Sequence, residues 1–467
     1  MKHFLLISFF SISCLSFSQT KSESLDYVFD SEVFKEERTI SVFIPETYNS
    51  GDTTRKFNVA YLLDGQFQPY FSMVSSIMSY YSQTNEGIPL IIVGIHTNNR
   101  WGEFVPLCEE ERTESTEGAD KLSLFLKNEV IPLIESTYRT TQFKIGIGHS
   151  LGGTFVINEI VRDNSLFNAI IAVSPNLTMC NEQIIKRAQE FYDTQPNNLR
   201  FIYSSAGTVG DMENGFKNSL TRLDSITTKM NLKQMYWNCD VLEGANHMTT
   251  FVPTFDAGYL EISSRLSLMD ADLIDMTKDS TSSIVSSLTD FYNNLSNFSE
   301  ENIELSIDQI MKHATTLAQF GEYRACIDLC QYADGKLKKE SISSDKKKEI
   351  AEMIESRKIR AEFNALAQEA NKFAIAGDYV NASSLYIKAF DMGLIRATHM
   401  VRMDAIPVLA QAGEIEEAFV QLDLLANKFA LGGNGSFISD TLCEPLHKDK
   451  RWKNLMDKLA ENGGLYR

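Results

Sequence analysis

Six consecutive residues, Gly148-His149-Ser150-Leu151-Gly152-Gly153, carry the GxSxG spacing of a nucleophile turn. Glycines two residues either side of a serine let the backbone turn sharply, because no Cβ obstructs the close approach. The chemistry this permits is attack of the Ser150 hydroxyl on an acyl carbonyl. The Leu151 N–H would face the oxyanion that forms. A serine needs a base, and the chain has seven histidines. His3 lies in the N-terminal apolar run, His149 is too close to its neighbour to serve, and His96 ends an early β-rich run. His313, His399 and His447 fall in a helical C-terminal region. His247, in Glu243-Gly244-Ala245-Asn246-His247-Met248, is therefore the expected base.

These residues can act only if strands and helices hold them. The β-rich run Lys144–Ile147 precedes the serine turn and the amphipathic run Thr154–Asp163 follows it. Further β-rich runs cover Thr39–Ile44, Asn58–Leu63, Leu90–Ile95, Ala169–Val173, Leu199–Ser205 and Gln234–Leu242, with helical stretches between them. Alternating strands and helices predict an α/β fold, a mostly parallel sheet covered on both faces, with ligands at the carboxyl ends of the strands. His247 then follows the last strand. The acid that orients it is expected after the preceding strand, in Ala206-Gly207-Thr208-Val209-Gly210-Asp211-Met212-Glu213. Asp211 is the first choice and Glu213 the alternative. A second oxyanion donor is expected after Asn58–Leu63, at Gly65 or Gln66, with the Gln66 N–H preferred.

In order along the chain, several short motifs add to this. They are Glu37-Arg38-Thr39 leading to Ile44-Pro45, Tyr61-Leu62-Leu63-Asp64-Gly65, and Val93-Gly94-Ile95 leading to Asn99-Arg100. They continue through Tyr138-Arg139-Thr140 and the serine turn to Leu166-Phe167-Asn168 and Ser174-Pro175. From Val33 to Leu266 the chain resembles the esterase family of the α/β-hydrolase superfamily that includes esterase D and the enterochelin esterases. The resemblance implies an α/β-hydrolase fold, Ser150 as nucleophile and His247 as base, and no metal or organic cofactor. It implies hydrolysis of an ester: a siderophore trilactone, a feruloyl or acetyl polysaccharide ester, or a small acyl ester. An acyltransferase would share the acyl-enzyme, and a non-catalytic binding protein using its helical tail is a further alternative. Arg100 is a candidate for an anionic substrate, or else fixes its loop by a salt bridge. The chain departs from the family at Thr208 and Val209, where relatives carry a carboxylate, and at Asn176–Met179, which lacks aromatic residues.

Composition bounds the rest. The 467 residues are 43% hydrophobic and 23% charged, as in ordinary globular proteins. A formal charge of −18 argues against non-specific binding to nucleic acid or anionic membrane. Residues 1–18 read as a signal peptide, with Lys2, an apolar stretch and a Ser16-Phe17-Ser18 cleavage pattern. Export to a periplasmic or extracellular compartment is expected, with lipid attachment at Cys14 the lesser alternative. No later run is long and apolar enough to span a bilayer. The scattered cysteines are expected to be free thiols. The hydrolase is expected over 19–268, and a linker or first tail helix over 269–300.

From 301 to 467 the pattern is helical and tetratricopeptide-like. Gly321, Gly377 and Gly413 each end an apolar helical run, and a small residue follows five positions later, at Cys326, Ala382 and Ala418. The last two glycines are 36 residues apart, near the 34-residue tetratricopeptide period. Such a tail would offer a surface for a protein partner.

Overall fold

The computed structural model describes residues 23–49, 53–108, 117–162, 164–194, 200–230, 232, 235–299, 302–395, 398–432 and 440–464. The expected signal peptide and Cys14 lie outside the described residues. The chain divides into two compact units, one of residues 1–269 with 293–303, the other of 270–292 with 304–467.

The first unit is built on eight strands. They are β1 (Glu23–Ser31), β2 (Glu36–Ile44), β3 (Phe57–Leu63), β4 (Leu90–Ile95), β5 (Thr140–His149), β6 (Ala169–Val173), β7 (Arg200–Val209) and β8 (Met235–Asn246). They form one sheet in the order β1-β2-β4-β3-β5-β6-β7-β8. β1 and β2, and β2 and β4, pair antiparallel; every other pairing is parallel. Successive side chains of β3 serve opposite faces: Val59, Tyr61 and Leu63 join one apolar cluster, and Ala60 and Leu62 the other. Both faces are thus buried, which is why β4 and β6 read as apolar runs and β3 does so but for Asn58. β1 has no counterpart among the expected runs. It is an edge strand, and its Leu25 and Val28 are exposed.

In the second unit, helices Ile307–Gln319 and Tyr323–Lys339, Ser344–Ile375 and Tyr379–Phe390, and His399–Ala412 and Ile415–Asp423 follow one another as pairs. Gly321, Gly377 and Gly413 stand between the members of each pair, all with positive φ of 80–84°. Cys326, Ala382 and Ala418 are fully buried. Small residues at these positions let neighbouring helices approach closely.

The stretch expected as a linker or first tail helix holds two helices, Asp270–Lys278 and Ile284–Ser299. Residues 293–303 group with the first unit. Phe298 there is 2% exposed and packs against Phe143, Phe201 and Tyr236.

Candidate active site

Ser150 caps the carboxyl end of β5, and the helix Leu151–Ile160 starts at the next residue. Its φ of 59° and ψ of −118° lie outside the regions that a non-glycine residue normally adopts. Two constraints impose them. The Ser150 N–H donates to the Val173 carbonyl of β6 at 2.9 Å. A Cβ on Gly148 would stand 2.2 Å from the Gly152 carbonyl oxygen, so strand and helix meet only because that residue is glycine. The Leu151 N–H, first in the helix, has no intrahelical acceptor and lies at the positive end of the helix dipole.

After β3 the chain makes a tight turn in which Asp64 takes a φ of 59°. The Gly65 N–H donates to Ile95 O and the Phe67 N–H to Asp64 O, both at 2.9 Å. The Gln66 N–H between them is the turn's remaining donor. The Gln66 side chain grips the loop after β4, accepting from the Thr97 N–H at 3.1 Å.

His247 follows β8 in a turn organised by Asn246, whose side-chain oxygen accepts from the Met248 and Thr249 N–H groups at 3.0 Å each. Its Nδ1 stands 2.8 Å from Oε2 of Glu213. Asp211, the expected partner, is exposed and makes no such contact. β7 continues to Val209, four residues beyond the expected end, and the helix Asp211–Met230 starts immediately after Gly210. Glu213 therefore lies two residues into a helix, about 200° around its axis from Asp211, and faces inward.

Glu213 is 1% exposed. Its Oε1 accepts from Ser174 Oγ and from the Gly207 N–H, both at 2.6 Å. Burial alone would raise its pKa; the hydrogen bonds from His247, Ser174 and Gly207 overcome this and hold it below the ordinary carboxylate range. Ser174 was legible only as part of a Ser-Pro motif, without a role.

Arg100 is partly exposed and pairs with the turn after β3. Its Nε and Nη2 form a two-pronged pair with Asp64 at 2.8 and 3.0 Å. Its loop is fixed from below by buried Glu103, which accepts from the Asn98 and Asn99 N–H groups and pairs with buried Arg38. Through Asp64, Arg100 supports the turn that carries Gln66.

Cys108 and Cys180 form a disulfide, with Cα atoms 5.3 Å apart, contrary to the expectation of free thiols. Cys239, Cys326, Cys330 and Cys443 are free. Among the described residues, no group of three or more His, Cys, Asp or Glu side chains could hold a metal ion. No described helix is long and apolar enough to cross a membrane.

Comparison with known proteins agrees with this architecture. Ferri-bacillibactin esterase BesA of Bacillus subtilis (strain 168) is 28% identical over 184 residues, 35% of this chain. That match spans 63% of the relative's length. An IroE-like serine hydrolase from Shewanella oneidensis superposes with a TM-score of 0.53 at 20% identity, covering 67% of this chain and 98% of its own. An uncharacterised protein from Capnocytophaga ochracea gives 0.54 at 15% identity, covering 79% and 94%. These two likenesses bear on the fold alone. Residues 31–262 match the family described as Putative esterase. Through that segment, which holds the serine turn, the histidine and the buried carboxylate, the chain belongs to the Putative esterase family, on the α/β-hydrolase fold.

Proposed function

We propose that this protein is an exported serine hydrolase of carboxylic esters, with siderophore esters of the kind named in its Bacillus relative among its substrates. The observation that carries the reading is the buried Glu213 carboxylate on His247, beside the strained Ser150 turn. Ser150 Oγ attacks the ester carbonyl while His247 Nε2 takes its proton. Glu213 keeps Nδ1 protonated and offsets the imidazolium charge that develops. The Leu151 and Gln66 N–H groups receive the oxyanion. His247 then protonates the leaving alcohol, and water releases the acid from the acyl-enzyme by the same steps in reverse. Export is supported by the leader-like N-terminus and by the Cys108–Cys180 disulfide, a bond at home in oxidising compartments.

The test is a panel of esters with the full chain and Ser150→Ala. It would include ferri-bacillibactin, a feruloyl ester, an acetylated polysaccharide and an activated aryl acetate. Ser150→Ala should lose on the order of 10⁴ or more in kcat on every substrate cleaved. A fluorophosphonate should label Ser150 alone. A variant that keeps a tenth of the activity overturns the nucleophile assignment, and cleavage of only the non-siderophore esters overturns the substrate assignment.

A further inference from the structure

His149 immediately precedes the nucleophile, yet the reaction as written has no use for it. The side chain is buried, at 4% exposure. Its Nδ1 lies 2.7 Å from the Tyr70 hydroxyl and its Nε2 lies 2.8 Å from the main-chain oxygen of His247. A carbonyl only accepts, so Nε2 carries the proton and Nδ1 accepts from Tyr70. Both ring nitrogens are thereby matched and the tautomer is fixed.

The contacts around this pair converge on residue 247. The Thr250 hydroxyl donates to the same carbonyl at 2.9 Å. The Tyr70 ring stacks on Phe251, with centroids 4.2 Å apart and planes 3° from parallel. The His149 and His247 rings lie 4.3 Å apart. Burial, with His247 nearby, lowers the His149 pKa to about 4, so at neutral pH it adds no charge beside the base.

We propose that His149 is a positioning residue for the hydrolysis: its Nε2–H, backed by the Tyr70 hydroxyl, clamps the main chain of His247 against the residue next to Ser150. Glu213 fixes one end of the imidazole, at Nδ1. The direction of Nε2 is settled only when the main chain is fixed as well. The dipeptide His149-Ser150 then carries both the nucleophile and the clamp on its base, which holds the two in register. Small misplacement of reacting groups costs on the order of 10²-fold in rate. This inference rests on the esterase reading above.

The experiment compares kcat and KM on an activated aryl acetate for the full chain, Ser150→Ala, His149→Leu, His149→Gln and Tyr70→Phe. His149→Leu should lower kcat by on the order of 10²-fold, the cost of a small misplacement of the base, with KM little changed. His149→Gln places an amide N–H near the former Nε2 and should recover most of the loss. The proton resonance of His247 Nδ1–H, strongly deshielded by Glu213, should shift or broaden in His149→Leu and persist in His149→Gln. A folded His149→Leu with kcat within about twofold of the parent overturns the proposal. Equal losses in Leu and Gln with an unmoved resonance also overturn it. Should His149→Leu fail to fold, Tyr70→Phe decides, since it removes one hydroxyl from an intact ring. It should lower kcat severalfold at constant KM, and an unchanged kcat overturns the clamp. Ser150→Ala separates the two readings. If it retains turnover, the esterase reading fails. If it is inactive while His149→Leu is unaffected, the positioning role alone fails.

Discussion

Oε2 of Glu213 lies 2.8 Å from Nδ1 of His247, across 34 residues of sequence, while Asp211 starts the same helix on its exposed side. The carboxylate is not simply near the imidazole. Its other oxygen is held by Ser174 Oγ and the Gly207 N–H, so the group can neither turn away nor exchange partners easily. Glu213→Gln should lose roughly 10²–10⁴-fold in kcat, because the amide no longer selects the productive histidine tautomer. Asp211→Asn should stay within about twofold, as surface changes usually do. Steady-state kinetics on the two variants checks this, and the reverse ranking would move the acid to Asp211.

The order of Ser150 and His247 was legible in the sequence because local signals mark each one. Glycines flank the serine between strand and helix, and the histidine follows the last β-rich run. Which carboxylate meets His247 stays open between Asp211 and Glu213 in the sequence, because that turns on where β7 ends. A difference of four residues in strand length moves the start of the helix that follows and so decides which carboxylate turns inward. The parallel strands announced themselves as short apolar runs buried on both faces, whereas β1, half-exposed at the sheet edge, gave no such run. Tyr70 and Thr250 reach the site through contacts to residues 79 and 76 positions away, which no local pattern encodes. The Cys108–Cys180 pairing is of the same kind.

His313, in the second unit, offers a pH test away from the active site. It is 8% exposed and its Nε2 lies 2.8 Å from the Tyr292 hydroxyl. Burial, with a smaller contribution from Lys312, lowers its pKa to about 4. The folded value is below the unfolded one of about 6.5, so the unfolded chain binds the proton more readily. The stability is therefore fully present above about pH 6.5 and is lost as pH falls towards 4, by on the order of 3 kcal/mol. The thermal midpoint followed by helical circular dichroism should drop across that window. His313→Gln, which cannot titrate, should show a shallower slope. Parallel slopes for the two proteins would mean that His313 is not the linked group.

The Cys108–Cys180 bond ties the loop after β4 to the segment after β6, across a separation of 72 residues. Just beyond it, Cys180, Asn181 and Glu182 hold φ values of 50°, 51° and 60°, a left-handed run without glycine. Such residues cost about 1–2 kcal/mol each, so tertiary restraints must hold them. The disulfide is one restraint and the ion pair of Glu182 with Arg222 is another. By loop entropy alone, cutting the bond should cost about 4 kcal/mol. Cys108→Ser with Cys180→Ser, or mild reduction, should lower the denaturation midpoint accordingly. Thiol titration of the unreduced, unfolded chain from residue 19 onward should find the four free cysteines and no more, and six would refute the bond.

Phe298 belongs to the compact unit that carries the sheet. Its ring centroid lies 4.9 Å from that of Phe143 on β5, 6.3 Å from Phe201 on β7 and 6.0 Å from Tyr236 on β8. The cluster it joins covers one face of the sheet that carries Ser150. A chain ending at 268 would leave that cluster open to water, although every residue of the proposed triad would be present. Phe298→Ala in the full chain should cost about 3–5 kcal/mol, the range for removing a buried ring. The cost should appear as a lower urea midpoint for loss of ester hydrolysis, with kcat and KM in the absence of urea nearly unchanged. A fragment of 19–268 should then aggregate or lose activity in dilute urea, whereas one extended to 303 should resist. Equal urea midpoints for the two fragments would show that the helix segment bearing Phe298 is dispensable, and that the hydrolase ends at 268 after all.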